Sequence, residues 1–154
     1  MNNKPVRIQR SRQFKQVSPN DLPIKYAGRP SAWGNPFKLV AGIIYVNVAH
    51  RRKILNPWVY LCEGDDDKLM QLYRSVVTGN LCAGGYGIAI DSFGDIMHWV
   101  NHFRKLDLSE LKDKNLSCWC NLQRACHVDI LLELVSNFAN YFVNILYICV
   151  TNRE

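Results

Sequence analysis

Apolar residues recur along the chain with two different periods, and each change of period marks an element. "GIIYVNVAH" (Gly42 to His50) and "WVYLCE" (Trp58 to Glu63) are dense in β-branched and aromatic residues and bounded by turn formers, which predicts two strands. In "DDDKLMQLYRSVVTG" the spacing lengthens. Leu69, Leu72, Tyr73 and Val76 share one helical face, aspartates occupy the electropositive N-terminal end, and Gly79 stops the helix. "YGIAID" (Tyr86 to Asp91) predicts a short strand after Gly84-Gly85. "DIMHWVNHFRKL" (Asp95 to Leu106) predicts a second amphipathic helix with Ile96, Trp99, Val100 and Phe103 on one side. "DLSEL" reads as one helical turn, "NLSCWC" (Asn115 to Cys120) as a strand, and a last helix begins at Cys126 or His127.

The flanks are different. Residues 1–20 are polar and basic and close on Ser18-Pro19-Asn20, so they read as a basic N-terminal arm, mobile or forming an irregular edge. "GRPSAWGNPF" (Gly28 to Phe37) is punctuated by glycine and proline, and Pro30 and Pro36 push Arg29 and Asn35 out of the helical region, giving an ordered loop. The run "VDILLELVSNFANYFVNILYICV" is long and apolar. Asp129, Glu133, Asn137, Asn140 and Asn144 nevertheless recur every three or four residues and draw a polar stripe along a helix. The expectation is no membrane span, but an amphipathic extension over 137–154 packed on an α/β domain of residues 21–136. Alternating strands and helices without internal repeats predict a small single α/β domain, its sheet mixed or mostly parallel and flanked by helices, with a C-terminal helix after the cysteines.

Composition adds little to the fold and something to the setting. A chain of 154 residues suits one domain, and 48% hydrophobic with 21% charged residues is ordinary for a soluble globular protein. Six cysteines are too few for a disulfide scaffold, and "MNNKPVRIQRSRQFKQ" has no apolar signal region. A cytoplasmic, reducing setting is expected, with thiols free or metal-bound. The net charge of +6 gathers at Lys4, Arg7, Arg10, Arg12 and Lys15, with a second knot at Arg51, Arg52 and Lys53. Such a surplus favours polyanions, nucleic acid among them through the basic arm, or serves solubility. No groove-reading motif or aromatic and basic interleaving accompanies it.

The chemistry concentrates in "CWCNLQRACHVD", Cys118 to Asp129. Cys118, Cys120, Cys126 and His127 make four ligands, the number tetrahedral zinc takes. Against zinc, the spacing is not the common C-x2-C, and alternate strand residues such as Cys118 and Cys120 point to opposite faces. A second reading is thiol chemistry. A cysteine at a helix N-terminus has a lowered pKa, so Cys118 or Cys126 would be a nucleophile, His127 a proton shuttle, and Asp129 its orienter or a helix cap. Cys118 and Arg124 also match the C-x5-R of cysteine phosphatases, though "WCNLQ" supplies no glycine for an anion-binding loop. The third reading is packing, since cysteine is often a buried small hydrophobe. His98 and His102 lie four apart on a helix but lack the acid of H-E-x-x-H, and "GGYG" at 84–87 has no P-loop lysine after it.

"GRPSAWGNPF" followed some eighty residues later by "LSCWCNLQRACHVDILLEL" resembles the family known as domain of unknown function 4326, uncharacterised small proteins of phages, bacteria and some large viruses. The resemblance covers about Tyr26 to Leu134, and Val128 stands where the family pattern tends to have glycine. It implies a fold and a site, not an activity. Within the first motif Arg29 can fork onto a phosphate, Trp33 can stack on a base, and Asn35 can read donor and acceptor edges beside Ser31, which together suit a nucleotide. Equally, Asn35-Pro36 starts turns and Trp33 can be core. If the two motifs meet, the expectation is a small enzyme or ligand-binding protein for a nucleotide, nucleoside or related phosphorylated metabolite. The alternative is a non-catalytic nucleic-acid-binding module with a structural cysteine cluster.

Overall fold

The structure is a computed structural model and describes residues 3–51, 55–80, 88 and 90–137. In chain order these form β1 (Arg7–Gln9), β2 (Ile24–Tyr26), β3 (Phe37–Val40), β4 (Ile43–Asn47), β5 (Trp58–Glu63), α1 (Asp66–Thr78), α2 (Phe93–Arg104), β6 (Asn115–Cys118) and α3 (His127–Ser136). Single 3-10 turns at Ile90–Ser92 and Leu108–Leu111 flank α2. The α/β class holds, with the strands divided between two sheets. One is parallel in the order β1-β6-β2, and the other is antiparallel in the order β3-β4-β5.

The parallel sheet is built around the last strand to be made. All four residues of β6 are buried, as a central strand covered on both faces requires. Asparagine is a poor strand former, yet Asn115 sits there fully buried. Its Oδ1 accepts from the Val6 amide at 3.0 Å, and its Nδ2 donates to Ser18 Oγ at 3.0 Å and Asn20 Oδ1 at 2.7 Å. One amide side chain therefore fixes the entry to β1 and the bend that leads into β2. Of the two readings of residues 1–20, arm or irregular edge, residues 7–9 take the edge, because Arg7, Ile8 and Gln9 pair with Leu116, Ser117 and Cys118.

In the antiparallel sheet, Ala41 (φ 50°) and Gly42 (φ 76°) form the two-residue turn between β3 and β4. Positive φ at both positions matches the twist of a tight hairpin. Between the sheets and helices lies the core. Leu69, Leu72, Tyr73 and Val76 of α1 and Ile96, Val100 and Phe103 of α2 are buried, as their spacing predicts. Trp99 is only half-buried and donates its indole N–H to the Asn47 carbonyl at 2.8 Å. Asp65 caps α1 by accepting from the Lys68 amide, and Gly79 ends it in the left-handed conformation.

The strand expected over Tyr86–Asp91 is not formed where it can be seen. Ile90 and Asp91 already wind into the 3-10 turn that leads directly into α2, and residues 86, 87 and 89 lie outside the described residues. So do the glycine turn at 84–87, Arg52 and Lys53, and the extension from 138 to 154. Among the described residues, no helix is long and apolar enough to cross a membrane.

At one end of α2 the His50 and His98 rings stack with centroids 3.6 Å apart. Buried Asp95 receives His50 Nε2 at 3.3 Å and the fork of Arg51. Burial lowers the His98 pKa, the positive charges of His50 and His102 lower it further, and Asp95 only partly offsets them. The unfolded chain then binds the extra proton between the lowered value and the ordinary one near 6.5, so stability is lost as pH falls through that window.

Two predictions follow from the fold. Asn115→Ala strands several polar groups and should cost about 2–4 kcal/mol in urea denaturation; a loss under about 0.5 kcal/mol would show that the network is not needed. The urea midpoint should fall between about pH 7.5 and about pH 5.5, and His98→Gln should shrink that fall. An unchanged fall would assign it elsewhere.

Candidate functional site

β6 ends at Cys118, the chain bends through residues 119–126, and α3 begins at His127. Cys126 is the N-cap of α3. Its extended backbone donates N–H to Asp129 Oδ2 at 3.2 Å while its sulfur accepts from the backbone N–H of Asp129, a capping box with cysteine in the place of serine. Asp129 thus takes the capping role, and no hydrogen bond joins it to His127 among those described. The bend itself is held from β1. The Arg7 side chain, only 9% exposed, donates to Asp129 Oδ2 at 2.6 Å and to the carbonyls of Arg124 at 3.0 Å and Leu122 at 2.5 Å.

The three sulfurs converge. Cys118, Cys120 and Cys126 Sγ all lie within 4.8 Å of one another, with Cys118 and Cys126 at 3.1 Å. The expectation that Cys118 and Cys120 face apart fails because the strand stops at Cys118, and the bend at Trp119 and Cys120 turns the second thiol back. His127 is buried with Nε2 2.9 Å from the Ala27 carbonyl. A carbonyl only accepts, so Nε2 carries a proton, and Nδ1 is the ring nitrogen turned to the sulfurs, 3.6 Å from Cys126 Sγ.

Within the cluster the sulfurs compete for protons. Cys120 is drawn far below the usual thiol range by hydrogen bonds from Cys118, Cys126 and His127. Cys118 is pushed up to about 11, mainly by its hydrogen bond to Cys120, and Cys126 is raised much further by Cys118 and Cys120. Cys118 and Cys126 are also 1% and 2% exposed. Both candidate nucleophiles of the sequence reading therefore sit shut away from solvent, with their thiol pKa values raised. Cys120, which sequence reasoning assigned only to a metal, is the partly exposed sulfur. The end of the strand two residues early is what exposes it, and periodicity cannot place such an end.

The cluster floors a cavity of about 420 Å³ whose lining includes Arg29, Lys38 and Arg124. Arg29 stacks on the Trp58 ring at 5.0 Å and Lys38 Nζ on the same ring at 4.5 Å. Arg124 forks onto Asp66, 2.9 Å to each oxygen. At the mouth, Trp119 is 46% exposed beneath Arg10 at 5.2 Å and Arg12 at 5.9 Å, and Arg10 also covers Tyr26 at 4.7 Å. The aromatic and basic interleaving missing from the sequence is assembled by the fold.

The family described as domain of unknown function DUF4326 matches residues 6–137. The chain belongs to the DUF4326 family. The match runs from the residue before β1 to the C-cap of α3, so the Arg7 anchor, the first motif and the cluster all fall within it. No curated protein and no solved structure matches the chain.

In this DUF4326 domain the first motif lies against the second, but not all of it faces the cavity. Arg29 and Asn35 line it. The Asn35 Oδ1 is spent on the Phe37 amide at 2.9 Å. Trp33 takes the core place the sequence also allowed it: it is 3% exposed, packs against Phe103, and gives its carbonyl to the buried Tyr73 hydroxyl at 2.8 Å. Ser31 lies outside the cavity lining, its Oγ buried without a hydrogen-bond partner among the described residues. The loop doubles back through Ser31 N–H to Gly28 O and Gly34 N–H to Ser31 O. A Cβ on Gly34 would meet the Arg29 backbone at 3.0 Å, so glycine is what lets Arg29 stand over the cavity.

Removing the Arg7 anchor tests how the site is held. Arg7→Met should lower stability by about 2–3 kcal/mol and speed amide exchange in residues 119–126 by at least about tenfold. Unaltered exchange there would mean that the bend holds its shape without Arg7.

Proposed function

We propose that this DUF4326 domain binds and acts on a phosphorylated small molecule of the nucleotide class, with phosphate at Arg29 and Lys38 and the rest of the ligand over the Cys/His floor. The observation that carries this reading is that cations from the first-motif loop, β3 and the cysteine bend line one cavity above that floor. A volume near 420 Å³ is in the range of small-molecule sites. Guanidinium and ammonium groups are the side chains that recognise phosphate. With Trp33 in the core, the exposed Trp119 at the mouth is the ring available to a base.

Titration of the domain with nucleoside mono- and diphosphates, with inorganic phosphate for comparison, tests this by calorimetry. A nucleotide should bind, and Arg29→Gln with Lys38→Ala should weaken it by about ten- to a hundredfold, the worth of charge-assisted contacts. No binding by any nucleotide, or binding unaffected by the double substitution, would overturn the reading.

The placement of Arg10 and Arg12 over exposed Trp119 favours a second reading, a single-stranded nucleic-acid surface. The same titration separates the two. An oligonucleotide held at least about tenfold tighter than any mononucleotide, with affinity falling steeply with salt, belongs to the second.

A further inference from the structure

We infer that Cys118, Cys120, Cys126 and His127 together hold one zinc ion. Four features of the cluster lead there. First, three sulfurs delivered by a strand end, a bend and a helix cap meet within 4.8 Å, with Cys118 and Cys126 at 3.1 Å. Zinc–sulfur bonds of about 2.3 Å place tetrahedral sulfurs about 3.8 Å apart, inside the 3.1–4.8 Å span of this cluster.

Second, His127 is prepared as a ligand. Its Nε2–H is committed to the Ala27 carbonyl, the outer contact that orients metal-bound histidines. Nδ1 lies 3.6 Å from Cys126 Sγ, close to the nitrogen–sulfur edge of about 3.6 Å in a tetrahedral zinc site, and closes on the other two sulfurs, which form the 4.8 Å set without it, as the ion binds. Third, the ligand set is soft sulfur with imidazole, which selects zinc over magnesium, calcium or manganese.

Fourth, the donors are fixed by contacts independent of any ligand. Cys118 lies in the buried central strand, Cys126 caps α3, and Arg7 fastens the bend between them. On binding, each ligating sulfur that still holds a proton gives it to solvent, and each gives a lone pair to the metal. With four protein donors the ion ties β6 to α3 and shapes the cavity floor. None of the cysteines is then a nucleophile. The assignment does not depend on the phosphorylated ligand.

The test is metal content after purification under reducing conditions, followed by cobalt substitution of the whole chain. One zinc per chain is expected, and cobalt should give the strong visible bands of a tetrahedral site with a near-ultraviolet sulfur-to-cobalt band. Cys120→Ser, at the least buried of the three thiols, should keep the fold by circular dichroism and weaken the metal at least about tenfold. His127→Gln should leave the sulfur band and shift the visible bands.

Protein free of metal after zinc addition, with no sulfur-to-cobalt band, would overturn the assignment. So would full metal affinity in Cys120→Ser, or a Cys118–Cys126 disulfide forming in the presence of zinc. Nucleotide titration of the zinc-loaded sample reports separately on the proposed ligand, because its failure leaves the zinc content as measured.

Discussion

A single guanidinium sets the geometry on which everything else rests. Arg7 comes from an edge strand of three residues, yet it reaches the carbonyls of Leu122 and Arg124 and the carboxylate of Asp129. Carbonyls turned inward on an irregular bend need donors, and a planar fork of several N–H groups satisfies more than one at once. The same contact fixes Asp129, and Asp129 fixes the Cys126 amide. Position in β1 is therefore translated, through one side chain, into the position of a sulfur more than a hundred residues away in the chain.

Parallel pairing supplies the other half of the arrangement. Because β1, β6 and β2 run the same way, Gln9, Cys118 and Tyr26 all end at one edge, where the chains leaving them meet. Ala27 follows β2 directly and stays in register by donating its backbone N–H to the Ser117 carbonyl at 2.9 Å. Its own carbonyl then accepts from His127 Nε2 and sets the orientation of the ring. This is the crevice at the carboxyl ends of parallel strands where α/β proteins bind ligands. Asn115 at the other end of β6 keeps the three strands aligned, so the site depends on a buried polar network that touches none of it.

Elements with enough residues to show a period were legible in the sequence. The faces of α1 and α2, the strands β4 and β5, and the start of α3 all carried their own signal. β1, β2 and β3 have three or four residues each, too few for alternation to stand out, and the first two exist only through pairing with β6, far along the chain. The two readings of Trp33, stacking surface or core, stayed open in the sequence for a related reason. A loop rich in glycine and proline looks like surface, and nothing local reveals that Tyr73 and Phe103 will enclose it. The cluster was visible as a composition, but its convergence was not, since it turns on a strand stopping two residues before periodicity would end it.

The proposed zinc and the proposed anionic ligand would share one pocket, and so have to be electrostatically compatible. A divalent ion with three thiolates and a neutral imidazole carries one net negative charge, which by itself would repel phosphate from the floor. Arg124 does not offset it, because its charge is already matched by Asp66. Arg29 and Lys38 are left, and together they exceed the floor by one positive charge. Both are held over Trp58 and, among the described residues, neither is paired with an acid, and an aromatic face attracts a cation without neutralising it. Phosphate is thus favoured at the Trp58 side of the cavity, away from the sulfurs, with the uncharged part of the ligand nearer the metal and the ring of Trp119.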